Sequence, residues 1–411
     1  MMFKLENYLH YFYLVIYTCI ALIVVSLYDY EAYNFTSDFD YYHNAGVSYL
    51  SSFGLKISDF SNQFCTKFDN CFIKVDEWDH NPLPFYPILF LSSLTIFGSK
   101  ILFTLQGIFI GIANLYLLNK IAKKYLFASK ENYLQIIWSL LLVLNPTIFL
   151  NTLGSSPMSV LLLFILLGIN SNKLSLRYFF FGLGIVSRST SIVYLIAYLI
   201  LVLINKPVNL KKHFFYSFIL FVLYYLCYEF AHQNYQLSFL SSLFIYEGTY
   251  YSDWQLYIKS FLQKSLGVDS VMRSNMSFSE FFNLIKDYKF ETINLLIQNF
   301  FLKFSIFIGF QYDGLARGGD ENVYGIARIW KTILLIFVML PGIYNMAKYT
   351  LNRDIKASNL IKLLFIYSFI VLTFSSILIA NTRYVIPIIP LIIYSGIDFW
   401  IPNRLFIKHA N

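Results

Sequence analysis

Charge is what this chain has least of. Only 13% of its 411 residues are Asp, Glu, Lys or Arg, against 57% apolar and 20% aromatic. That composition cannot give a soluble domain an ordinary polar surface. With a mean hydropathy of +0.58, it predicts an all-α polytopic membrane protein. Cysteine is almost as scarce, with four residues. Cys19 and Cys227 lie inside apolar runs and read as small hydrophobes. Cys65 and Cys71 bracket a polar stretch expected outside the cytoplasm, where a disulfide can persist; two free thiols are the alternative. The chain has no zinc-type cluster, no phosphate-cradling glycine loop and no nucleophile elbow. Its basic loops are too short for a nucleotide-binding domain, so a nucleotide-driven reaction on that side has no visible site.

What the chain does have is apolar runs separated by short basic clusters. Lys120, Lys123, Lys124 and Lys130 form one, Lys173 and Arg177 a second, and Lys206, Lys211, Lys212 and His213 a third. Lys348, Arg353 and Lys356 form a fourth, and Arg404 and Lys408 a fifth. A net charge of +8 distributed this way marks cytoplasmic loops facing lipid head groups and does not suggest a nucleic-acid partner. Spans are expected at Leu9–Tyr28, Ile101–Asn119, Tyr133–Asn151, Pro157–Ile169, Phe214–Phe230, Ile329–Met346, Leu360–Leu378 and Ile386–Ile401. A broken pair, Phe179–Ser187 and Thr190–Asn205, flanks Arg188. Phe85–Gly98 is too short to cross, Ser277–Tyr288 reads as an amphipathic helix, and Leu295–Phe310, interrupted by Lys303, reads as interfacial. The sum is about 10–12 helices in one domain over residues 1–411.

In this topology both termini are cytoplasmic and the first helix is retained, because no small-residue cleavage site follows it. The segment 29–84, with nine carboxylates against three lysines, is the first large external loop; 231–325 is the second. The expected location is the inner or plasma membrane of a bacterium, or the ER membrane if the source is eukaryotic. Only in the latter would the triplets Asn34-Phe-Thr36 and Asn275-Met-Ser277 act as glycosylation acceptors.

Three stretches could carry chemistry. The first is Ser37-Asp38-Phe39-Asp40-Tyr41-Tyr42, a few residues beyond the first span. There one carboxylate can accept a proton from a hydroxyl while the other orients it or holds a divalent cation such as Mg or Mn. A solvated acidic loop that only enforces topology accounts for the same residues. The second is Asp79-His80-Asn81-Pro82-Leu83-Pro84-Phe85-Tyr86-Pro87, where Asp79 or His80 could act; prolines starting a helix at a membrane boundary are the plainer account. The third is Asn381-Thr382-Arg383-Tyr384 with Pro387 and Pro390, expected at the external end of the last helix. Its arginine suits a phosphate or diphosphate, or snorkels beside an interfacial tyrosine. Arg188 and the run Asp313–Glu321 are weaker.

Taken in order, these runs resemble the GT-C superfamily of integral-membrane glycosyltransferases, which use polyprenyl-phosphate sugars. Asp38-Phe39-x-x-Tyr42-x-x-Ala45 is similar to the acidic motif of that superfamily's first external loop. Asn81 to Gly98 is similar to its proline-rich approach to a juxtamembrane helix, and Asn145-Pro146 with Gly154-Ser155-Ser156-Pro157 to its broken helix pair. Arg383-Tyr384-x-x-Pro387-x-x-Pro390 is similar to its late arginine motif. Ser155 and Ser156 depart from the pattern where an acidic residue often stands.

The resemblance implies a polyprenyl-phosphate sugar donor, a glycan, lipid or protein acceptor, and Asp38 as base. It further implies that Asp40 assists or binds a divalent cation and that Arg383 neutralises the leaving phosphate, with Arg188 as a second possibility for that role. Tyr42, Asp79, His80 and Tyr384 would complete substrate binding. Two other readings of the same pattern are a surface-polysaccharide polymerase or ligase and a lipid-linked sugar transporter or flippase without chemistry. A transporter should carry paired ionisable residues inside its spans, and the sequence offers mainly Arg188 and Lys303 there.

Overall fold

The computed structural model describes residues 11–27, 100–127, 132–153, 157–187, 191–205, 207–231, 278–307, 329–351, 366–371, 373 and 386–401. Almost all of these are helical and none is in a strand. The helices are α1 (Phe12–Leu27), α2 (Lys100–Tyr125), α3 (Asn132–Val143), α4 (Pro146–Leu153), α5 (Pro157–Asn170), α6 (Leu174–Ile185), α7 (Ile192–Asn205) and α8 (Leu210–Ala231). They continue with α9 (Phe278–Asp287), α10 (Lys289–Phe307), α11 (Leu340–Leu351) and α12 (Ile389–Trp400). Three helical stretches are long and apolar enough to cross a membrane: Leu105–Lys124, Leu210–Cys227 and Ile329–Lys348.

Helical periodicity explains which sides meet. In α1 the buried residues are Tyr13, Tyr17 and Ala21, and in α3 they include Leu134, Trp138 and Leu142; the four-residue spacing puts each of these sets on one stripe. These stripes join a continuous core with α2, α5 and α12. The other sides stay apolar. On α8 only 17% of the Leu210–Cys227 window is buried, and Phe214, Phe215, Phe218 and Ile219 are exposed, a surface that suits hydrocarbon better than water.

Several boundaries differ from expectation. The span expected at Tyr133–Asn151 divides into α3 and α4. Pro146 supplies no amide hydrogen, and the Asn145 side chain caps the new helix by accepting from the Ile148 amide at 3.2 Å. The Leu144 carbonyl at this break accepts from Trp330 Nε1 at 2.7 Å, so a distant side chain satisfies a backbone group. Lys120, Lys123 and Lys124, read as loop, belong to α2; Arg177 lies within α6; Lys211, Lys212 and His213 lie within α8. Long basic side chains are good helix formers, so the apolar run ends before the helix does. A π turn at Leu335–Met339 interrupts the span before α11, and Trp400 Nε1 donates to the Phe337 carbonyl within it at 2.6 Å. The amphipathic helix expected at Ser277–Tyr288 is α9, and the interfacial run around Lys303 falls within α10.

Polar side chains fasten the core. Asn119 Oδ1 accepts from Gln135 Nε2 at 2.8 Å and from Ser139 Oγ at 3.0 Å, tying α2 to α3. Asn114 Nδ2 donates to the Ser159 carbonyl at 3.0 Å, tying α2 to α5.

Candidate functional site

Most of the residues singled out from the sequence lie outside the described residues. These are Asp38, Asp40, Tyr42, Asp79, His80, Arg188, Arg383 and Tyr384, together with the Cys65–Cys71 pair and the Phe85–Gly98 segment. The same holds for the divalent-cation site expected at Asp38 and Asp40; among the described residues no group of three or more His, Cys, Asp or Glu could hold a metal.

What the described helices enclose is an apolar cavity of about 280 Å³. Its walls are helical stripes. Leu118 and Ala122 come from α2, Ile165 and Ile169 from α5, Arg177, Phe181 and Ile185 from α6, and Tyr194, Tyr198 and Leu201 from α7. Tyr367, Pro387, Pro390 and Leu391 close it. Two aromatic pairs stand in this wall: Phe181 meets Tyr198 edge-on at 5.0 Å, and Tyr194 lies 6.4 Å from Tyr367.

Arg177 is the one charged residue among the described residues of that lining. It is half-buried in the first turn of α6. Its Nη2 donates to the Ser171 carbonyl at 3.1 Å, while its buried Nε has no partner among the described residues. Beside it Ser217 Oγ donates to the Tyr178 hydroxyl at 3.2 Å, and that hydroxyl lies 2.9 Å from His213 Nδ1. If the tyrosine passes the chain of donation onward, His213 carries its proton on Nε2. This trio joins α6 to α8 behind the cavity wall.

Pro387 and Pro390 require a correction. They were expected at the opposite end of the bundle from the α2 lysines. Trp138 Nε1 donates to the Pro390 carbonyl at 2.8 Å, and the Tyr394 hydroxyl donates to the carbonyl of Leu126, one residue beyond α2, at 3.1 Å. The start of α12 therefore sits near the lysine-bearing end of α2 and shares the cavity with Arg177. The physical reason is length. Twelve residues span about 18 Å, short of the ~30 Å hydrocarbon core, so α12 can begin inside the bundle provided its first carbonyls find donors there.

Comparison with known proteins adds nothing to this picture. No family model, curated protein or solved structure matches the chain.

Sequence reasoning missed both the cavity and a buried carboxylate. Arg177 read as a loop charge, yet Arg177, Phe181 and Ile185 fall at i, i+4 and i+8, and this spacing was the available signal. Asp398 is 1% exposed and accepts from Asn345 Nδ2 at 3.0 Å; the same amide also donates to the Ser395 carbonyl at 3.1 Å. Losing that donor removes one hydrogen bond from a buried carboxylate. Asn345→Leu is accordingly expected to lower stability by about 1–3 kcal/mol, read from thermal unfolding of the purified protein in detergent; an unchanged midpoint would show that the contact contributes nothing.

Proposed function

We propose that the protein is a glycosyltransferase that moves a sugar from a polyprenyl-phosphate donor to an acceptor on the extracytoplasmic face of the membrane. The order of the sequence motifs carries this reading, and helical stretches long and apolar enough to cross a membrane support it.

In the proposed reaction the acceptor hydroxyl gives its proton to the Asp38 carboxylate, and the hydroxyl oxygen forms a bond to the sugar's anomeric carbon. The bond from that carbon to the phosphate oxygen breaks, and polyprenyl phosphate leaves with the electron pair. Arg383 stabilises the departing charge, which a fixed cation does more effectively in a partly desolvated cleft than in water.

The test is transfer of label from polyprenyl-phosphate sugars by membranes containing the wild-type protein, Asp38→Asn or Asp40→Asn. A second reading, transport of a lipid-linked sugar without chemistry, draws on Asp398 being buried in a helix pair. Label crossing the bilayer with no new glycosidic bond would favour that reading.

A further inference from the structure

The cavity contains an electrostatic imbalance that glycosyl transfer at the Asp38 loop does not use. Among the described residues of the lining Arg177 is the single cation, with no Asp or Glu beside it and the rest apolar or aromatic. A cation beside an apolar space is costly unless an anion compensates it. The Ser171 carbonyl takes one N–H, and the buried Nε is left without a partner among the described residues. A buried donor of this kind calls for an acceptor supplied from elsewhere.

The rest of the space is too apolar to be filled by water. Apolar cavities stay dry and take up hydrocarbon. At about 280 Å³ the volume lies at the lower edge of ordinary ligand pockets, so it has room for a segment of one chain and not for the paired chains of a phospholipid. Arg177 also stands in the first turn of α6, where the helix N-terminus adds positive potential for an anion.

We infer that this cavity binds a single-chain lipid ending in an oxyanion, with Arg177 receiving the head and the stripe Phe181–Ile185, Tyr198 and Ile165 enclosing the chain. The shared chemistry is one hydrocarbon tail carrying a phosphate monoester or a carboxylate. The inference stands apart from the glycosyl-transfer reading; if that reading holds, the phosphate monoester is the natural occupant.

The experiment titrates the purified full-length protein in detergent with farnesyl phosphate, oleate and the neutral alcohol farnesol, following Trp fluorescence, since Trp138 lines the cavity. One or both oxyanions should bind more tightly than farnesol, and which of them does so names the source. Arg177→Gln should weaken the oxyanion by about tenfold or more and leave farnesol unchanged. Arg177→Lys should fall between wild type and Arg177→Gln. Ile165→Trp, which fills the chain space and keeps the charge, should weaken oxyanion and farnesol alike. If Arg177→Gln does not fold, the Lys and Ile165→Trp variants still decide. The proposal is overturned if no probe binds, if farnesol binds as well as both oxyanions, or if the Arg177 variants bind as wild type does. Oxyanion binding without sugar transfer would sink the transferase reading alone, and transfer with Arg177-independent binding would sink this one alone.

Discussion

Asp38→Asn is expected to reduce sugar transfer by about 10²- to 10⁴-fold, the usual contribution of a general base, while leaving the amount of folded protein in the membrane unchanged. The substitution keeps size and hydrogen-bonding shape and removes only the capacity to take a proton. An acceptor hydroxyl attacks the anomeric carbon effectively only as its proton leaves, so the loss should fall on kcat, with KM for the lipid donor little altered. Asp38→Glu restores the carboxylate at a shifted position and should recover part of the rate. Asp40→Asn should cost less, because the proposed reaction gives Asp40 only an assisting role. Full transfer activity in a normally folded Asp38→Asn protein would overturn the assignment of Asp38. Arg383→Gln probes the other half of the reaction and should slow departure of the phosphate.

The second large effect is structural and concerns the contact between α12 and the helix ending in α11. A Cβ placed on Gly342 would collide with the Ile392 carbonyl oxygen, and one placed on Gly396 with the Val338 carbonyl oxygen. Both obstacles are backbone, so neither can be relieved by a side-chain rotation. Small residues that let two helix backbones approach this closely are a frequent device of helix pairs in lipid. Gly342→Leu or Gly396→Leu must therefore push the helices apart. This would strip packing from Ile392, Ile393 and Ile397, all buried, and strain the Asn345–Asp398 and Trp400–Phe337 hydrogen bonds.

Each Leu substitution should cost about 3 kcal/mol or more. The double variant should cost less than the two losses added, since both report on one crossing. Thermal unfolding in detergent reads the loss directly, and Gly→Leu variants unfolding at the wild-type midpoint would show that the crossing is looser than its geometry implies. Because α12 also carries Pro390 and Leu391 into the cavity wall, the same variants should weaken binding of the lipid probes, whereas Asp38→Asn should not.

Composition and periodicity already specify helices, and all twelve helices named here overlap a run read from the sequence as apolar or amphipathic. Local chemistry was legible in part: Pro157 announces a helix start, whereas the break at Asn145-Pro146 fell inside a run read as one span. Basic residues misled in a systematic way. Lys123, Lys124 and Arg177 were read as loop because hydropathy falls there, whereas helical hydrogen bonding continues as long as the backbone permits, whatever the polarity of the side chains.

The cavity was not legible, because its wall is assembled from stripes on helices far apart in the chain. Which stripes converge depends on how the helices cross. Pro390 reaches Trp138 across 252 residues, and α12 approaches its other neighbour backbone to backbone at Gly342 and Gly396; no local pattern encodes either crossing. Sequence pattern thus suffices for helical content, since that follows from nearest neighbours and composition. It does not place Arg177 against an apolar space with an unsatisfied donor, because that arises only once separate helices exclude solvent together.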